Sequence, residues 1–198
     1  MSRHSMKNLL ISLLIFISLT SHGGELEKNL LISISENNIE QFEKLLTLGA
    51  NPNYRDINTN PSTRPVVMEL AAVHDDSTYL ELAIQHGGYP DALDGYKSKT
   101  ILFESSKHSK LNNVKILIKS GAKINSLDGN NSTPLHIAIS VKNYDIAYYL
   151  IKSGASLSLQ NKWGYTPIDI LNKFGDAGVK KGSNQYQWYL KVIRLVGG

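Results

Sequence analysis

The chain has 198 residues, 21 Lys+Arg against 17 Asp+Glu, and no cysteine, a size that fits one domain with a buried core. Zero cysteine excludes a disulfide framework, a thiolate nucleophile, thiolate-bound zinc or iron–sulfur clusters, and a cysteine-borne lipid anchor. The net charge of +4 becomes 19 bases against 17 acids once Arg3 and Lys7 are set aside, a field too weak to argue for nucleic acid.

The first element is a targeting signal. Arg3, His4 and Lys7 precede an apolar run, Leu9 to Leu19, and Ser21-His22-Gly23 then sets small residues at the positions a signal peptidase reads. This predicts a secretory signal peptide over 1–23 and a mature domain over 24–198, periplasmic or secreted, touching a membrane only through the leader. The competing reading, a membrane anchor, needs about 20 apolar residues, and Ser12 and Ser18 interrupt this shorter run. A start at Met6 would leave Lys7 as the one basic residue before it. Without disulfides in such a compartment, packing alone holds the fold.

Beyond residue 23 the chain repeats itself. Lys-Ser-Gly-Ala ends at Ala122 and again at Ala155, 33 residues on, and Thr100, Thr133 and Thr166 keep the same register. Gly49 and Gly87 extend the pattern backwards, giving repeats at about 23–55, 61–93, 95–127 and 128–160 and a divergent one at 161–198. In the first helix of each repeat, Leu30, Met68, Leu102 and Leu135 form one column and Ser33, Ala71, Ser105 and Ala138 another, large beside small. In the second helix the columns are Phe42, Leu80, Val114, Ala147; Leu45, Ala83, Leu117, Leu150; and Leu46, Ile84, Ile118, Ile151. Pro134 and Pro167 suit the first helical turn behind the capping Thr133 and Thr166, and the glycines suit a left-handed residue just past the second helix. Beyond Phe174, a glycine-containing loop at 175–182 precedes a helical spacing from Gln185 to Val196.

Thr133-Pro134-Leu135-His136-Ile137-Ala138, recurring in phase as Thr166-Pro167-Ile168-Asp169-Ile170-Leu171, resembles the ankyrin repeat. The resemblance covers about 25–173 and implies an all-α solenoid of four to five helix-turn-helix repeats with hairpin-like loops and a C-terminal capping helix. It also implies that the His136 ring ties neighbouring turns together, that Asn53, Asp91 and Asn125 stabilise the loops, and that Ser158, which departs from that column, leaves a looser turn. Such repeats bury their faces only against each other, so the ends must be polar; Glu25, Glu27, Lys28, Glu36, Glu40 and Glu43 fit an N-terminal cap.

No nucleophile elbow, phosphate loop or dinucleotide fingerprint is present, and no cofactor or metal is implied. His74-Asp75-Asp76 has ligand-type chemistry, but consecutive residues do not converge on one ion without an unusual loop. Histidines 86 and 108 sit at helix ends, where the helix dipole accounts for them. The carboxylates read as scattered over helical surfaces, which argues against an enzyme.

The implied concave face of fingertips and first-helix ends is the expected docking surface. Its residues are Tyr54 and Arg55 beside the insertion Asp56 to Asn60, Ser62, Thr63, His74, Asp75, Tyr96, Lys97, Lys99, Lys107, His108, Asn130, Ser132, Lys162, Trp163 and Tyr165. Aromatics give contact area with a polar handle, which singles out Tyr96, Trp163 and Tyr165, while Lys97, Lys99 and Lys107 attract an acidic partner. For Trp163 the alternative is packing on the neighbouring finger; Trp188 on the last helix is cap surface or a second patch. The chain is also similar to exported bacterial ankyrin immunity proteins, which implies a monomer that blocks a secreted toxin such as a type VI phospholipase effector. The alternatives are a periplasmic scaffold or stress-protection protein supporting a resident enzyme, a host-directed secreted effector, and metal-assisted hydrolysis at His74-Asp75-Asp76.

Overall fold

The computed structural model describes residues 24–57, 66–96 and 98–197. The expected leader, the fingertip residues Ser62, Thr63 and Lys97, and residues 58–60 of the insertion lie outside the described residues.

Five helix pairs follow in the described residues: α1 (Glu25–Ser35) with α2 (Ile39–Thr47), α3 (Val67–Val73) with α4 (Thr78–Gln85), α5 (Ile101–Lys107) with α6 (Leu111–Lys119), α7 (Pro134–Ser140) with α8 (Tyr144–Lys152), and α9 (Pro167–Phe174) with α10 (Asn184–Val196). The inner helices α1, α3, α5, α7 and α9 stack in order, and the outer helices α2, α4, α6, α8 and α10 stack behind them. The result is the helical ankyrin solenoid that the repeats imply. The expected C-terminal cap is the outer helix of a fifth pair, delayed by the 175–183 loop and docked on α8.

The large and small columns of the inner helices are buried throughout, as are Phe42, Leu80, Val114 and Ala147 and the Leu45 column of the outer ones. Small residues at Ser33, Ala71, Ser105 and Ala138 let successive inner helices approach. The third column is less enclosed: Leu46 is buried, while Ile84, Ile118 and Ile151 are half-buried.

Helix starts follow the sequence signals. The Thr133 and Thr166 side chains accept the backbone N–H of His136 and Asp169, which close the capping boxes by returning a side chain to the threonine N–H, with Pro134 and Pro167 in the first turn. Each outer helix from α2 to α8 ends in the same reverse turn. The N–H after the glycine reaches back to close it, as in Ala122 to the Leu117 carbonyl (3.0 Å) and Ala155 to the Leu150 carbonyl (3.0 Å). The turns between inner and outer helices use this geometry too, but with Asn37, Ser109 and Lys142 at φ of 56°, 60° and 64°. The second repeat departs from it, because α3 ends in an extended His74.

At the C-terminal end, Tyr144 donates its hydroxyl to the Gly175 carbonyl and its ring lies 5.4 Å from that of Tyr189 on α10. Burial pushes the Tyr144 phenol up to about 12. Lys142 adds a bond to the Ala177 carbonyl, so the start of the loop is tied down at two successive points.

Two glycines separate backbone strain from crowding. Gly154 has φ 93° with open space around an added Cβ, so Gly154→Ala should cost about 1–2 kcal/mol through conformation alone. At Gly175 an added Cβ would meet the Leu171 carbonyl and, at 2.8 Å, the Tyr189 ring. Gly175→Ala should cost more and loosen α10, as read by denaturant unfolding and amide exchange of α10; equal losses for the two variants would contradict this account.

Candidate functional site

The finger row is built from one polar side chain per repeat. Asp94 and Asn161 are buried and Asp128 half-buried, at a spacing of 34 and 33 residues, and the buried Asp56 occupies the same register in the first finger. The Asp94 carboxylate accepts the Ser98 N–H (2.7 Å) and hydroxyl (2.9 Å), Asp128 accepts the N–H groups of Asn130 and Ser132 (both 2.8 Å), and the Asn161 side-chain oxygen accepts those of Trp163 (3.0 Å) and Tyr165 (3.1 Å). Each of these three later fingers therefore turns around its own acceptor. A recurring Asp or Asn five or six residues ahead of Thr100, Thr133 and Thr166 is the sequence signal for it.

Neighbouring fingers are joined. Arg55 donates to the carbonyls of Asp94 (2.7 Å), Gly95 (2.8 Å) and Leu93 (3.0 Å), so this expected contact residue clamps the first finger to the second. Tyr54 is half-buried against the core. Glu69, one turn into α3, accepts the Gly95 N–H (2.8 Å), and its carboxyl is raised mainly by burial and further by Asp94 and Glu104, against the lowering by that N–H and by Arg55. Asn130 accepts the Lys162 N–H on its carbonyl (2.9 Å) and the Lys162 ammonium on its side chain.

His136 makes the corresponding link in the fourth repeat. Its Nδ1 accepts the Thr133 N–H (3.1 Å), which leaves the proton on Nε2 to be donated to the Tyr165 carbonyl (3.1 Å). The implied tie between turns is present, and the ring is buried. The loop acceptors also reach across repeats: Asn53 accepts the Tyr89 N–H (2.7 Å), Asp91 that of Lys123 (2.7 Å) and Asn125 that of Ser156 (2.8 Å), whereas Ser158 bonds within its own loop to Ser156.

The middle of the concave face differs from the sequence expectation that carboxylates lie on surfaces. Glu104 is buried, in the column held by Leu70 and Ile137 in the neighbouring repeats. Lys99 (3.4 Å), Lys107 (3.7 Å) and His108 (3.3 Å) converge on it. Three expected partner contacts thus form one internal charge cluster. Nothing in the one-residue view marked Glu104, because a carboxylate on a helix ordinarily faces water.

The turn at His74 is occupied within the fold. The His74 Nε2 lies 2.9 Å from the Asn37 side-chain oxygen and its Nδ1 accepts the Asp76 N–H (3.0 Å), while Asp76 accepts the Thr78 N–H (2.9 Å) and Asp75 pairs with Lys110. The Lys110 hydrogen bond and charge hold the Asp75 carboxyl below its ordinary value. The three side chains point apart, and among the described residues no three His, Asp or Glu could hold a metal ion.

Two aromatics stand out from the finger row. Tyr96 is 67% exposed and Trp163 60% exposed. Lys162 lies over the Trp163 ring at 4.7 Å, and Lys173 lies 5.1 Å from the Tyr165 ring and 5.3 Å from that of Phe174. The finger row and inner-helix ends of the last two repeats thus carry Lys162, Trp163, Tyr165, Lys173 and Phe174 beside the exposed Val141.

Residues 67–161 match the family model for ankyrin repeats, in three copies. A Rickettsia bellii protein described as an ankyrin repeat protein is 29% identical over 160 residues, 78% of this chain and 60% of its own length. Mouse protein phosphatase 1 regulatory subunit 27 is 42% identical over 71 residues, 36% of this chain and 46% of that protein. The BRCA1-associated RING domain protein 1 of Caenorhabditis elegans is 41% identical over 99 residues, 50% of this chain and 14% of its own. The chain spans less than two thirds of each of these relatives. It carries ankyrin repeats, a protein-binding module of the kind that ordinarily acts as an interaction scaffold without chemistry of its own.

Burial lowers the His136 pKa below 6.5, against smaller raising contributions from the Tyr165 carbonyl, Asp128 and the Leu159 carbonyl. Below about pH 6.5 the unfolded chain then binds the proton that folded His136 resists, so stability is full above that value and declines as pH falls. Protonation would also set an N–H of Nδ1 against the Thr133 N–H. Denaturant unfolding between pH 7.5 and 5.5 should show a decline that His136→Gln reduces; parallel curves would remove His136 as its source.

Proposed function

We propose that the chain is an exported binding protein whose finger groove covers an acidic surface of a secreted antibacterial toxin, as an immunity protein would, with a phospholipase-type effector as the model partner. One observation carries this reading: Trp163 and Tyr96 stay exposed on a finger row whose turns and crossings are hydrogen-bonded. Their exposure is not a consequence of loose loops. A row held by Arg55, Glu69, His136 and Lys162 loses little conformational freedom on binding, which favours affinity. Exposed Lys162 and Lys173 beside the aromatics favour a partner with carboxylates at its rim.

The mechanism is steric. A groove-bound partner has its active-site entrance covered, and the ankyrin chain contributes contacts without bond chemistry. The leader-type pattern at 1–23 supports periplasmic residence, where such a toxin would arrive.

The test is capture with residues 24–198 from lysate of the same organism expressing its neighbouring secreted proteins, read by mass spectrometry. A toxin-like hydrolase is expected; a resident periplasmic enzyme in its place would make the chain a scaffold. Trp163→Ala should weaken capture by about 30-fold, the ~2 kcal/mol of a hot-spot tryptophan, with an unchanged melting temperature because the ring is exposed. Leu117→Ala, fully buried, should lose capture through about 2–5 kcal/mol of stability. Equal melting losses in the two variants would overturn the assignment of Trp163 to the contact.

A further inference from the structure

The outer helices change character along the solenoid. The first two, α2 and α4, expose Glu40, Glu43 and Glu81 against Lys44. The last three, α6, α8 and α10, carry Lys115, Lys119, Lys152, Lys191 and Arg194 with Asp145 as their one carboxylate. Asp145 accepts the adjacent Ile146 N–H at the start of α8. The ion pairs of the described residues use Lys99, Lys107, His108, Lys110 and Lys123, and none of these five cations.

Repeat register gathers the cations on one surface. Lys115 and Tyr148 are 33 residues apart, as are Lys119 and Lys152, so each pair occupies the same place on successive outer helices. On α10, Trp188 packs 5.6 Å from the Tyr148 ring, and Lys191 lies 3.7 Å above the indole. Lys115 lies 5.9 Å from the Tyr149 ring. Between α8 and α10 is an open cleft of about 290 Å³ lined by Tyr148, Lys191, Arg194 and Leu195. It presents two cations at its rim above an aromatic and aliphatic floor.

We propose that the outer face of α6, α8 and α10 docks on an anionic membrane surface, with Lys191 and Arg194 on lipid phosphates and Trp188 and Tyr148 at headgroup depth. A phosphodiester attached to an apolar chain matches a cleft that is cationic at the rim and apolar below. Trp and Tyr beside Lys and Arg is the composition that proteins place at a bilayer interface, and long-stemmed cations without carboxylate partners among the described residues respond to the negative potential of such a surface. No helix of the described residues is long and apolar enough to cross a membrane, so the contact is peripheral. It goes beyond the expectation that the chain meets a membrane only through its leader. A protein hot spot would be a desolvated pocket, whereas this cleft is open. A nucleic-acid site would need a broader basic field than a chain with an acidic first half provides. That acidic half, repelled from the surface, sets the orientation, and the finger groove on the opposite layer stays accessible.

The test uses Trp188 as its own reporter. The chain has two tryptophans, so Trp163→Phe leaves the Trp188 indole alone. Co-sedimentation with phosphatidylcholine vesicles, with and without phosphatidylglycerol, should show binding that requires the anionic lipid, weakens at high salt and shifts Trp188 emission to the blue. Each cation near the surface contributes about fivefold, so the K191E/R194E double variant should bind at least about 25-fold more weakly. If its melting curve shows misfolding, K115E/K119E serves in its place. Equal binding to neutral vesicles, no binding, binding without the emission shift, or unchanged binding in a folded charge-reversal variant would each overturn the proposal. Preferential binding of duplex DNA by this face would replace it.

Discussion

A pair of helices of seven to thirteen residues has no interior of its own and is too short to persist alone in water. Everything here depends on the contact each pair makes with the next. That contact is close because the centres of the first four inner helices offer Ser33, Ala71, Ser105 and Ala138, so the large side chains at Leu30, Met68, Leu102 and Leu135 fill the space between helices. The same approach brings polar backbone groups within reach. Ser105 donates to the Ala72 carbonyl (2.8 Å), and Asn113 donates to the carbonyls of Ala72 (2.8 Å) and His74 (3.0 Å). Asn143 does the same at the next interface, to the Ser106 carbonyl (2.8 Å). Burial drives the stacking, and these bonds satisfy carbonyls that the inner-helix ends leave without intrahelical partners.

A regular stack also explains how a charge comes to be buried. At the position where adjacent repeats place Leu70 and Ile137, the third has Glu104, and an isolated carboxylate there would be strongly unfavourable. Lys99 reaches it from the finger side, and Lys107 and His108 reach it from the helix end. One partner lies before α5 and the others at its C-terminal end, so the cluster fixes the angle between finger and helix in that repeat. Removing one of these partners would leave others in place, whereas removing the carboxylate would set Lys99 and Lys107 together without their shared counter-ion.

Repetition made most of the fold readable from residues alone. Apolar columns, Thr-Pro starts and post-helix glycines each recur, and a feature seen in phase several times needs no tertiary information to be recognised. The Asp94, Asp128 and Asn161 column carried the same kind of signal and was legible in principle. What repetition does not encode is the pairing of long side chains. Arg55 could reach solvent or the next finger, and only the positions of three carbonyls on that finger decide it. Glu104 is a departure from its column, and its solution draws on Lys99, which lies outside the helix. The C-terminal helix was readable as a cap but not as an outer helix, because the 175–183 loop breaks the spacing that would have aligned it with α8.

The two layers of the solenoid also serve different ends. On the inner layer the fingers are cross-linked by side chains at fixed register, so what varies most freely from repeat to repeat is confined to the tips, and the exposed rings of Tyr96 and Trp163 can differ without disturbing those links. On the outer layer the ties are fewer and irregular, Lys115 lying by Tyr149 and Trp188 against Tyr148, and the exposed charge drifts from acidic on α2 and α4 to basic on α6, α8 and α10. A stack can tolerate that drift because its stability is a sum of local interfaces. Each face is then open to its own selection: the finger groove for shape and aromatic contact, the outer surface for field. The rigid repeat between them keeps an event on one face from having to distort the other.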